Sequence, residues 1–357
     1  MRGSAQRVAE VDLGAIRHNV RFLRDRLASS VRFVAVVKAD GYGHGAAAVA
    51  RAALEAGAWG LAVSTPGEAA ALAGMVERDR LLALGGLAPG DAGDAVAAGC
   101  AVTCHSEALA AALEAAAPAG ARVPVHLKVD TGMGRLGCAP AEAAGLAGRI
   151  ASSRRLRLAG VFTHFASADS DPDFTRTQFE CFQEVLRHLE VEPGLRHAAN
   201  SAAVLHHPET ALDAVRCGIA LYGYGGSGLR PALALHAVIT QVKEVPSGAA
   251  VGYDRSWVAA RPSRVATVAI GYEDGVLRHR SGRGDLVIAG RRAPLIGRVS
   301  MDQVTVDVSE VPEALAGYRA TLIGEGITAD EVAGWSGTNS YEVLTSIGRR
   351  VERVYTE

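Results

Sequence analysis

Short apolar runs alternate with alanine-rich stretches through residues 12–230. The stretches between the runs, such as AAAVARAALEAG and AEAAGLAGRIA, have compositions that favour helix. This alternation predicts repeated strand–helix units and a parallel sheet. The predicted strands are Phe33–Val37, Trp59–Val63, Leu81–Leu84, Ala101–Thr103, Val123–Val129, Leu158–Thr163, His197–Ala199 and Ala214–Cys217. Because there are eight of them, a closed (β/α)8 TIM barrel fits better than an open doubly wound sheet.

After residue 235 the pattern changes to dense Val, Ile and Thr interrupted by Gly and Pro, as in RVATVAIGY and MDQVTVDVS. Such text is typical of a separate, mainly β-strand domain. We expect residues 1–11 to supply an N-terminal strand that packs on one of the two domains. Residues 12–230 are predicted to form the barrel and residues 231–357 the C-terminal β domain. The glycine-rich segment 225–232 is the expected linker.

Composition narrows the possible partners. Of the 357 residues, 49% are hydrophobic and 21% charged, as in globular proteins with a large core. Lys and Arg (37) nearly cancel Asp and Glu (38), so we expect a small-molecule partner and no binding to nucleic acid or membrane. No apolar run is long enough for a signal peptide or a membrane span, which predicts a cytoplasmic protein. The five scattered cysteines are expected to be free thiols.

Barrel enzymes place reactive groups at the C-terminal ends of their strands. The polar residues at those predicted positions are Lys38, Lys128, Asp130, Arg135, His164, Asn200, Ser201 and Arg216. We expect them to converge on one mouth of the barrel. Lys38 closes the run FVAVV and precedes the turn ADGYGHG, so partial desolvation should lower its pKa and suit the amine to imine formation. A lysine that extends from a strand end into solvent would have the same local sequence.

The string AVVKADGYGHGA closely resembles the cofactor-lysine motif of alanine racemases. Further segments resemble that family in the same order: AEVDLGAIRHN, LKVDTGMGRLG, VFTHFASAD, ANSAA, VRCGIALYG, VGYD, AIGYEDG, PLIGRVSMDQ and YEVLTSIGRRVERVY. The resemblance implies pyridoxal 5'-phosphate (PLP) as cofactor, bound to Lys38 as a Schiff base. It also implies that Tyr42, Ser201, Gly218 and Ile219 lie at the cofactor phosphate and that Asn200 binds the cofactor. Loops after strands seven and eight commonly hold phosphate in barrels, which agrees with the last assignments.

Arg216 bears on the type of reaction. The resemblance places it at the pyridine nitrogen, oriented by His164. Many PLP enzymes use a carboxylate there, which keeps that nitrogen protonated and makes the ring a strong electron sink. An arginine can only donate, so the carbanion is less delocalised, reprotonation at Cα is favoured and transamination is suppressed. A structural salt bridge for Arg216 and a hydrogen-bonded core position for His164 are the alternatives.

Racemisation removes a proton from one face of Cα and returns it on the other, so two groups must flank the substrate. The resemblance supplies Lys38 and Tyr253, the tyrosine coming from the partner subunit of a homodimer. Positive groups must activate such a tyrosine, and His164 linked to Arg216 is the expected source. An ordinary strand aromatic is the alternative for Tyr253.

Further roles follow from the same resemblance. Arg135 and the backbone amide of Met301 are expected at the substrate carboxylate, and Lys128 is a possible carbamylated lysine. The expected entrance residues are Asp169, Tyr272, Arg278 and Arg298, which could equally be solvated loop groups. Three departures from the family pattern, Asp254, Glu273 and Arg349, put substrate size and entrance selectivity in doubt.

The implied function is interconversion of L- and D-alanine, supplying D-alanine for peptidoglycan, with no metal. A racemase of another small amino acid such as serine stays open. A PLP-dependent decarboxylase of the same fold would use an acid at the pyridine nitrogen, which Arg216 argues against. A PLP carrier protein would lack the β domain that bears Tyr253 and Met301. The string GYGGSG at 223–228 follows no long strand and is interpreted as linker rather than as a dinucleotide site.

Overall fold

A computed structural model describes residues 6–357, so the first five residues of the predicted segment 1–11 lie outside the described residues. The described chain begins with strand β1 (Arg7–Asp12) and helix α1 (Leu13–Arg24). It divides into two compact units. The barrel unit comprises Ala15–Gly41 and Ala46–Arg230, and the β unit comprises residues 6–14, Tyr42–Gly45 and Pro231–Glu357.

Eight parallel strands close into a barrel in chain order, which confirms the predicted TIM-barrel class. Most of their residues are buried on both faces, which is why the strands read as continuous apolar runs. The strands are β2 (Arg32–Val36), β3 (Gly60–Val63), β4 (Leu81–Ala83), β5 (Ala101–Cys104), β6 (Val123–Lys128), β7 (Leu156–Phe162), β8 (Leu195–His197) and β9 (Ala214–Cys217).

Strand β8 differs from its prediction. The sequence predicts His197–Ala199, whereas the observed strand is Leu195–His197. The strand starts early because Leu195 and Arg196 already pair with β7. The guanidinium and the backbone N–H of Arg196 also bond the carboxylate of Asp213, just before β9. An exposed arginine interrupts the apolar pattern, so periodicity could not reveal this strand start.

Helices follow the strands, and several begin at a capping side chain. Thr65 forms a capping box with Glu68, while Ser106 and Asp171 each accept from a backbone N–H of the first helical turn. The helical segments of this region are α2 (Lys38–Tyr42), α3 (Ala46–Glu55), α4 (Pro66–Ala71), α5 (Ala92–Ala97), α6 (Glu107–Ala116), α7 (Ala143–Ser152), α8 (Pro172–Arg187) and α9 (Ser201–His206).

The segment α2 is a left-handed turn. Ala39 and Asp40 have φ of 52° and 51°, and Gly41 has φ of 62°. A residue with a Cβ loses about 1–2 kcal/mol in this conformation because the Cβ approaches the following carbonyl oxygen. Such strain persists only where surrounding contacts hold it. The chain that leaves Lys38 is therefore constrained by its neighbours rather than by its own preference.

The β unit is built on a sheet of eight strands in the order β13-β16-β15-β14-β17-β10-β1-β18, with β13 also pairing with β10. This agrees with the predicted mainly β-strand C-terminal domain. The strands are β10 (Leu233–Val245), β11 (Ala250–Val251), β12 (Trp257–Val258), β13 (Ser263–Val268), β14 (Asp285–Ile288), β15 (Arg291–Ile296), β16 (Val304–Asp307), β17 (Arg319–Ile323) and β18 (Glu352–Thr356), and the helices are α10 (Ala329–Ser336) and α11 (Ser340–Thr345).

Strand β1 joins this sheet between β10 and β18, antiparallel to the first and parallel to the second. The first half of β10 alternates buried and partly buried residues, the period that a half-buried strand requires. A cluster of Val245, Val251, Ala259, Val265 and Ile296 forms a local apolar core.

No helix within residues 6–357 combines the length and apolar character needed to cross a membrane. The cysteines are free thiols, as predicted, and all except Cys181 are buried.

Candidate active site

A cavity of about 390 Å³ opens at the C-terminal ends of the barrel strands. Its wall brings together Lys38, Lys128, Arg135, His164 and Arg216, which come from strands far apart in the sequence. The remaining lining residues are Ser64, Leu84, Gly85, Gly86, Leu136 and Phe162. Cationic and titratable side chains are thus concentrated against a partly apolar wall, the composition of a small-ligand site.

Lys38 follows β2 and is half-buried. Burial lowers the pKa of its amine below the usual range, and the nearby Arg135 guanidinium lowers the pKa further. The carboxylate of Glu68 acts in the opposite direction and raises it. A larger neutral fraction makes this amine a better nucleophile than an exposed lysine at the same pH.

Lys128 ends β6 and is almost fully buried, with its amine 5.5 Å from the ring centre of Phe162. Burial, followed by the charges of Arg216 and Arg135, lowers the pKa of Lys128 to about 8. A substantial fraction of the amine is therefore neutral near physiological pH. A neutral amine is the form that can react with carbon dioxide.

Arg216 lies in β9 and is buried. One terminal nitrogen donates to His197 Nδ1 at 2.7 Å, and the other donates to the carbonyl oxygens of Thr163 and Ala198 at 2.8 and 3.0 Å. Burial lowers its pKa only to about 10, so the guanidinium stays charged near neutrality. These acceptors compensate the charge and hold the side chain in one orientation.

Two histidines that the sequence did not single out continue this network into the barrel. His197 Nε2 lies 2.8 Å from His126 Nδ1, and both rings are buried. Because an arginine only donates, His197 Nδ1 must accept, which leaves Nε2–H to donate to His126. A histidine inside an otherwise apolar barrel strand, as in VPVHLK of β6, is the signal that could have identified the pair.

His164 follows β7, and its Nδ1 lies 3.3 Å from Arg216. Burial, the Arg216 charge and the nearby lysines and Arg135 lower the pKa of His164 well below its ordinary value. The imidazole is consequently neutral near neutrality. Arg216, rather than His164, carries the positive charge that the sequence interpretation assigned to the linked pair.

Residues expected at a cofactor phosphate meet at the loops after β8 and β9. The hydroxyl of buried Ser201 accepts from the backbone N–H groups of Gly218 and Ala220 at 2.9 and 3.3 Å. Ile219 begins the adjoining 3₁₀ turn (Ile219–Tyr222). The side chain of Asn200 caps α9 by accepting from the Ala203 N–H at 3.0 Å. Hydroxyl and amide donors of this kind suit a phosphate group.

The β unit holds a second group of predicted residues. Tyr253 is 69% exposed and follows Gly252 in a tight turn. The carboxylate of the neighbouring Asp254 accepts from Arg298 Nε at 2.8 Å. Thus one of the departures from the family pattern is bonded to one of the predicted entrance residues, directly beside the tyrosine.

Tyr272 and Met301 lie together on the same unit. The Tyr272 N–H donates to Ser300 O at 3.0 Å, and the Glu273 N–H donates to Met301 O at 3.2 Å. Gly271 allows this approach, because a Cβ there would lie 2.3 Å from two carbonyl oxygens. Met301 is 51% exposed.

The other predicted site residues are not among those that line the active-site cavity. Arg278 begins a 3₁₀ turn of the β unit (Arg278–Arg280). Tyr42 is buried in the β unit with its ring 6.2 Å from that of Tyr341. Asp169 is an exposed loop residue of the barrel unit and accepts from the Ser170 hydroxyl at 3.4 Å.

A larger cavity of about 740 Å³ lies at the opposite, N-terminal ends of the strands. Two of its three arginines pair with acids: Arg157 with Asp79 at 2.6 Å and Arg196 with Asp213 at 2.7 Å. Arginines that are neutralised by neighbouring carboxylates in this way are typical of a structural surface. The C-terminal mouth is therefore the candidate active site.

A TIM barrel with desolvated lysines at its C-terminal mouth, and a buried arginine there whose two terminal nitrogens are hydrogen-bonded, followed by a β domain, defines the class of barrel enzymes that act on small molecules. Residues 11–225 match the family model "Alanine racemase, N-terminal domain" and residues 232–355 match "Alanine racemase, C-terminal domain". The chain belongs to the alanine racemase family and is an isomerase of the racemase type.

Relatives named alanine racemase resemble this chain over almost its whole length. The chain is 43% identical to the alanine racemase of Desulfovibrio desulfuricans over 362 residues, which cover 98% of each protein. It is also similar to the crystal structure of alanine racemase from Streptomyces lavendulae, with a TM-score of 0.92, 39% identity and coverage of 100% of this chain and 98% of the other. For the Bacillus anthracis alanine racemase with bound L-Ala-P, the TM-score is 0.92 at 36% identity, covering 100% and 96%.

Proposed function

We propose that this protein interconverts L- and D-alanine with pyridoxal phosphate bound covalently to Lys38. The observation that carries the proposal is the convergence of Lys38, Arg216 and His164 on one cavity of a family whose relatives are named alanine racemases. When bound, pyridoxal phosphate withdraws electrons from the Cα of an attached amino acid and so acidifies its proton.

The donor set fits this cofactor. Lys38 offers a partly desolvated amine, and Arg216 offers a permanent donor for the pyridine nitrogen. Ser201, Gly218 and Ile219 supply hydroxyl and amide groups for a phosphate. Asn200 supports this cradle as the cap of α9, and Tyr42 is assigned to the phosphate by resemblance.

Two residues of this chain would handle the Cα proton. Lys38 Nζ would hold and return it on one face, and Tyr253 Oη of a partner subunit on the other. The lowered pKa of Lys38 supports a base role near neutrality. The exposure of Tyr253 supports its use by another copy of the chain, so we propose a homodimer with shared sites.

Arg135 and the Met301 backbone amide are proposed to orient the substrate carboxylate. In residues 6–357 the Arg135 guanidinium makes no hydrogen bond or ion pair, so its donors are available to an anion. A carbamate on Lys128 would convert a cation beside Arg135 into an anion that could hold it. Asp169, Tyr272, Arg278 and Arg298 are proposed to line the entrance.

We further propose that the reaction takes place in the cytoplasm and supplies D-alanine for peptidoglycan. A racemase of another small amino acid such as serine is the alternative that the Asp254–Arg298 pair keeps open, because it alters the surroundings of Tyr253. Polarimetry on a panel of single enantiomers decides between them. Faster turnover of serine than of alanine would reject alanine as the principal substrate.

Borohydride reduction of the holoenzyme followed by peptide mapping tests the cofactor assignment. The chain has three lysines, Lys38, Lys128 and Lys243, so the map has few possible outcomes. We expect the cofactor mass on the Lys38 peptide. Its appearance on the Lys128 peptide would reject the assignment.

The shared site is tested by complementation. Lys38→Ala and Tyr253→Phe homodimers should each lose activity by about 10²–10⁴-fold or more, because each lacks one proton-transfer group. After the two variants are unfolded and refolded together, about half of the dimers by random pairing are mixed and regain one intact site. Mixed dimers, verified by mass, that stay as inactive as the parents would show that both bases come from one chain.

A further inference from the structure

The carboxylate of Glu68 joins the ends of the first two barrel strands. Its Oε1 accepts from the Ala39 N–H at 2.7 Å, immediately after Lys38. Its Oε2 accepts from the Ser64 N–H at 2.7 Å and from the Thr65 N–H at 3.2 Å, immediately after β3. Lys38 and Ser64 both line the active-site cavity. One side chain therefore connects the backbones of two cavity walls.

These contacts exceed what a helix cap requires. In a capping box, the glutamate bonds the backbone N–H of the N-cap residue, here Thr65, and the N-cap side chain bonds the N–H of the glutamate. The bonds to Ala39 and Ser64 are additional, and a charged acceptor makes each of them stronger than a neutral one. The bond to Ala39 falls on the first residue of α2 that has left-handed dihedral angles.

A second observation is electrostatic. The charged and titratable groups around Lys38 are Arg135, Lys128, His164 and Glu68. Arg135 lowers the pKa of Lys38, whereas Glu68 raises it against the effect of burial. Glu68 supplies the negative charge that acts on Lys38, so it balances the cations of the cavity at the amine itself.

We propose that Glu68 is a positioning residue for Lys38, holding the strained turn that follows the lysine and balancing the positive charge around its amine. We call the bonds from Glu68 to the N–H groups of Ala39 and of Ser64 and Thr65 the clamp. The catalytic consequence rests on the proposed role of Lys38, whereas the clamp itself can be measured in the full chain without cofactor. Glu68 does not contact the substrate in this proposal. It acts through the backbone of Ala39 and through its charge.

Glu68→Gln separates the clamp from a simple cap. The variant keeps the side-chain length but removes the charge and presents an NH₂ group to one of the two sets of backbone donors. In the cofactor-free protein we expect hydrogen exchange at the Ala39 amide to rise about tenfold or more. The pKa of Lys38, followed by pH-dependent acylation of its peptide, should fall. In the holoenzyme kcat should fall by about 10–100-fold, with a smaller change in KM.

The matched control is Glu331→Gln. Thr328 and Glu331 form the same capping box at α10 in the β unit, far along the chain from Lys38. This variant should lose comparable helix-cap stability but leave the Ala39 exchange rate, the Lys38 pKa and kcat unchanged. Equal changes in both variants would reduce Glu68 to an ordinary cap and overturn the proposal.

Ala39→Gly in the Glu68→Gln background separates the mechanical and electrostatic contributions. Glycine adopts the left-handed conformation without the steric cost, so the turn should need less support and kcat should recover at least threefold. The Lys38 pKa should remain low because the charge is still missing. Ala47→Gly, an exposed change in α3, should give no recovery. Absence of rescue by Ala39→Gly would reject the positional role.

Glu68→Asp provides the test if Glu68→Gln does not fold. Aspartate keeps the charge but is one methylene shorter, so it cannot reach both strand ends. We expect faster exchange at Ala39 with a nearly normal Lys38 pKa, and unchanged exchange would reject the clamp. If the clamp readouts respond as expected but wild-type protein fails to attach cofactor at Lys38, the proposed function fails and the clamp stands.

Discussion

At the scale of single residues, Arg216 shows how hydrogen bonds stabilise a buried charge. An unpaired guanidinium inside a barrel would be costly, but three carbonyl oxygens and two imidazole nitrogens accept from it. Its pKa of about 10 leaves it protonated throughout the physiological range. It can therefore donate a hydrogen bond to a ligand without delivering the proton.

Arg216→Glu should lower the racemisation rate and raise the amount of pyruvate released per racemisation event. A carboxylate would keep the pyridine nitrogen protonated, which favours transfer of the amino group. A coupled assay for pyruvate beside polarimetry gives the ratio. Arg216→Lys keeps a charged donor and serves as the control for disrupted packing. An unchanged pyruvate ratio in Arg216→Glu would contradict the role assigned to Arg216.

Lys128 should become carbamylated in a pH-dependent way. Because its pKa is lowered to about 8, the neutral fraction of the amine grows as pH rises through that value. With ¹³C-labelled bicarbonate, the carbamate carbon signal should therefore increase between about pH 7 and pH 9. The signal should vanish in Lys128→Arg and persist in Lys243→Arg, which changes an exposed lysine. Persistence in Lys128→Arg would place the carbamate elsewhere.

At the scale of elements, the sequence predicts best where local pattern and burial agree. Lys38 and Arg216 could be found because apolar runs mark the barrel strands and strand ends mark the mouth. The histidine in VPVHLK could have drawn attention to His126, but its bond to His197 could not be predicted, since a residue pattern does not show which side chains of different strands meet. Glu68 reads as a helix cap, and its bond to Ala39 depends on the closure of neighbouring strands. The periodicity of a sequence does not show which distant residues come into contact.

Gly271→Ala should destabilise the β unit by about 1–3 kcal/mol, because its Cβ would lie 2.3 Å from the carbonyl oxygens of Ser300 and Met301. The displaced segments carry Tyr272 and Met301, so KM for alanine should also rise. Gly334→Ala is the matched control. It lies in the exposed part of α10 with open space at its Cβ and should stabilise by about 0.5–1 kcal/mol. Chemical denaturation measures the free energy of unfolding of each variant. Equal changes in the two variants would contradict the packing explanation.

At the scale of the whole molecule, the proposed reaction needs more than one copy of the chain. Lys38 belongs to the barrel unit and Tyr253 to the β unit. Tyr253 and Met301, at 69% and 51% exposure, present apolar surface that a second copy could cover. Aromatic and Met side chains are enriched in such interfaces.

Specific activity should consequently fall on dilution, in parallel with dissociation of the dimer. A monomer would hold Lys38 without a second base, so its turnover should be about 10²–10⁴-fold lower. Sedimentation and activity measured over the same concentration series give the two curves. Full activity in a sample that sediments as monomer would contradict the shared site.

The chain of bonds from Arg216 through His197 to His126 has a direction, and that direction can be reversed. A carboxylate at residue 216 only accepts, so His197 would have to carry its hydrogen on Nδ1 and accept at Nε2 from His126. Each imidazole would switch tautomer, although neither would change charge. Nitrogen NMR of His126 should therefore distinguish wild type from Arg216→Glu. The tautomer of His126 would thus report, two rings away, the sign of the charge at residue 216.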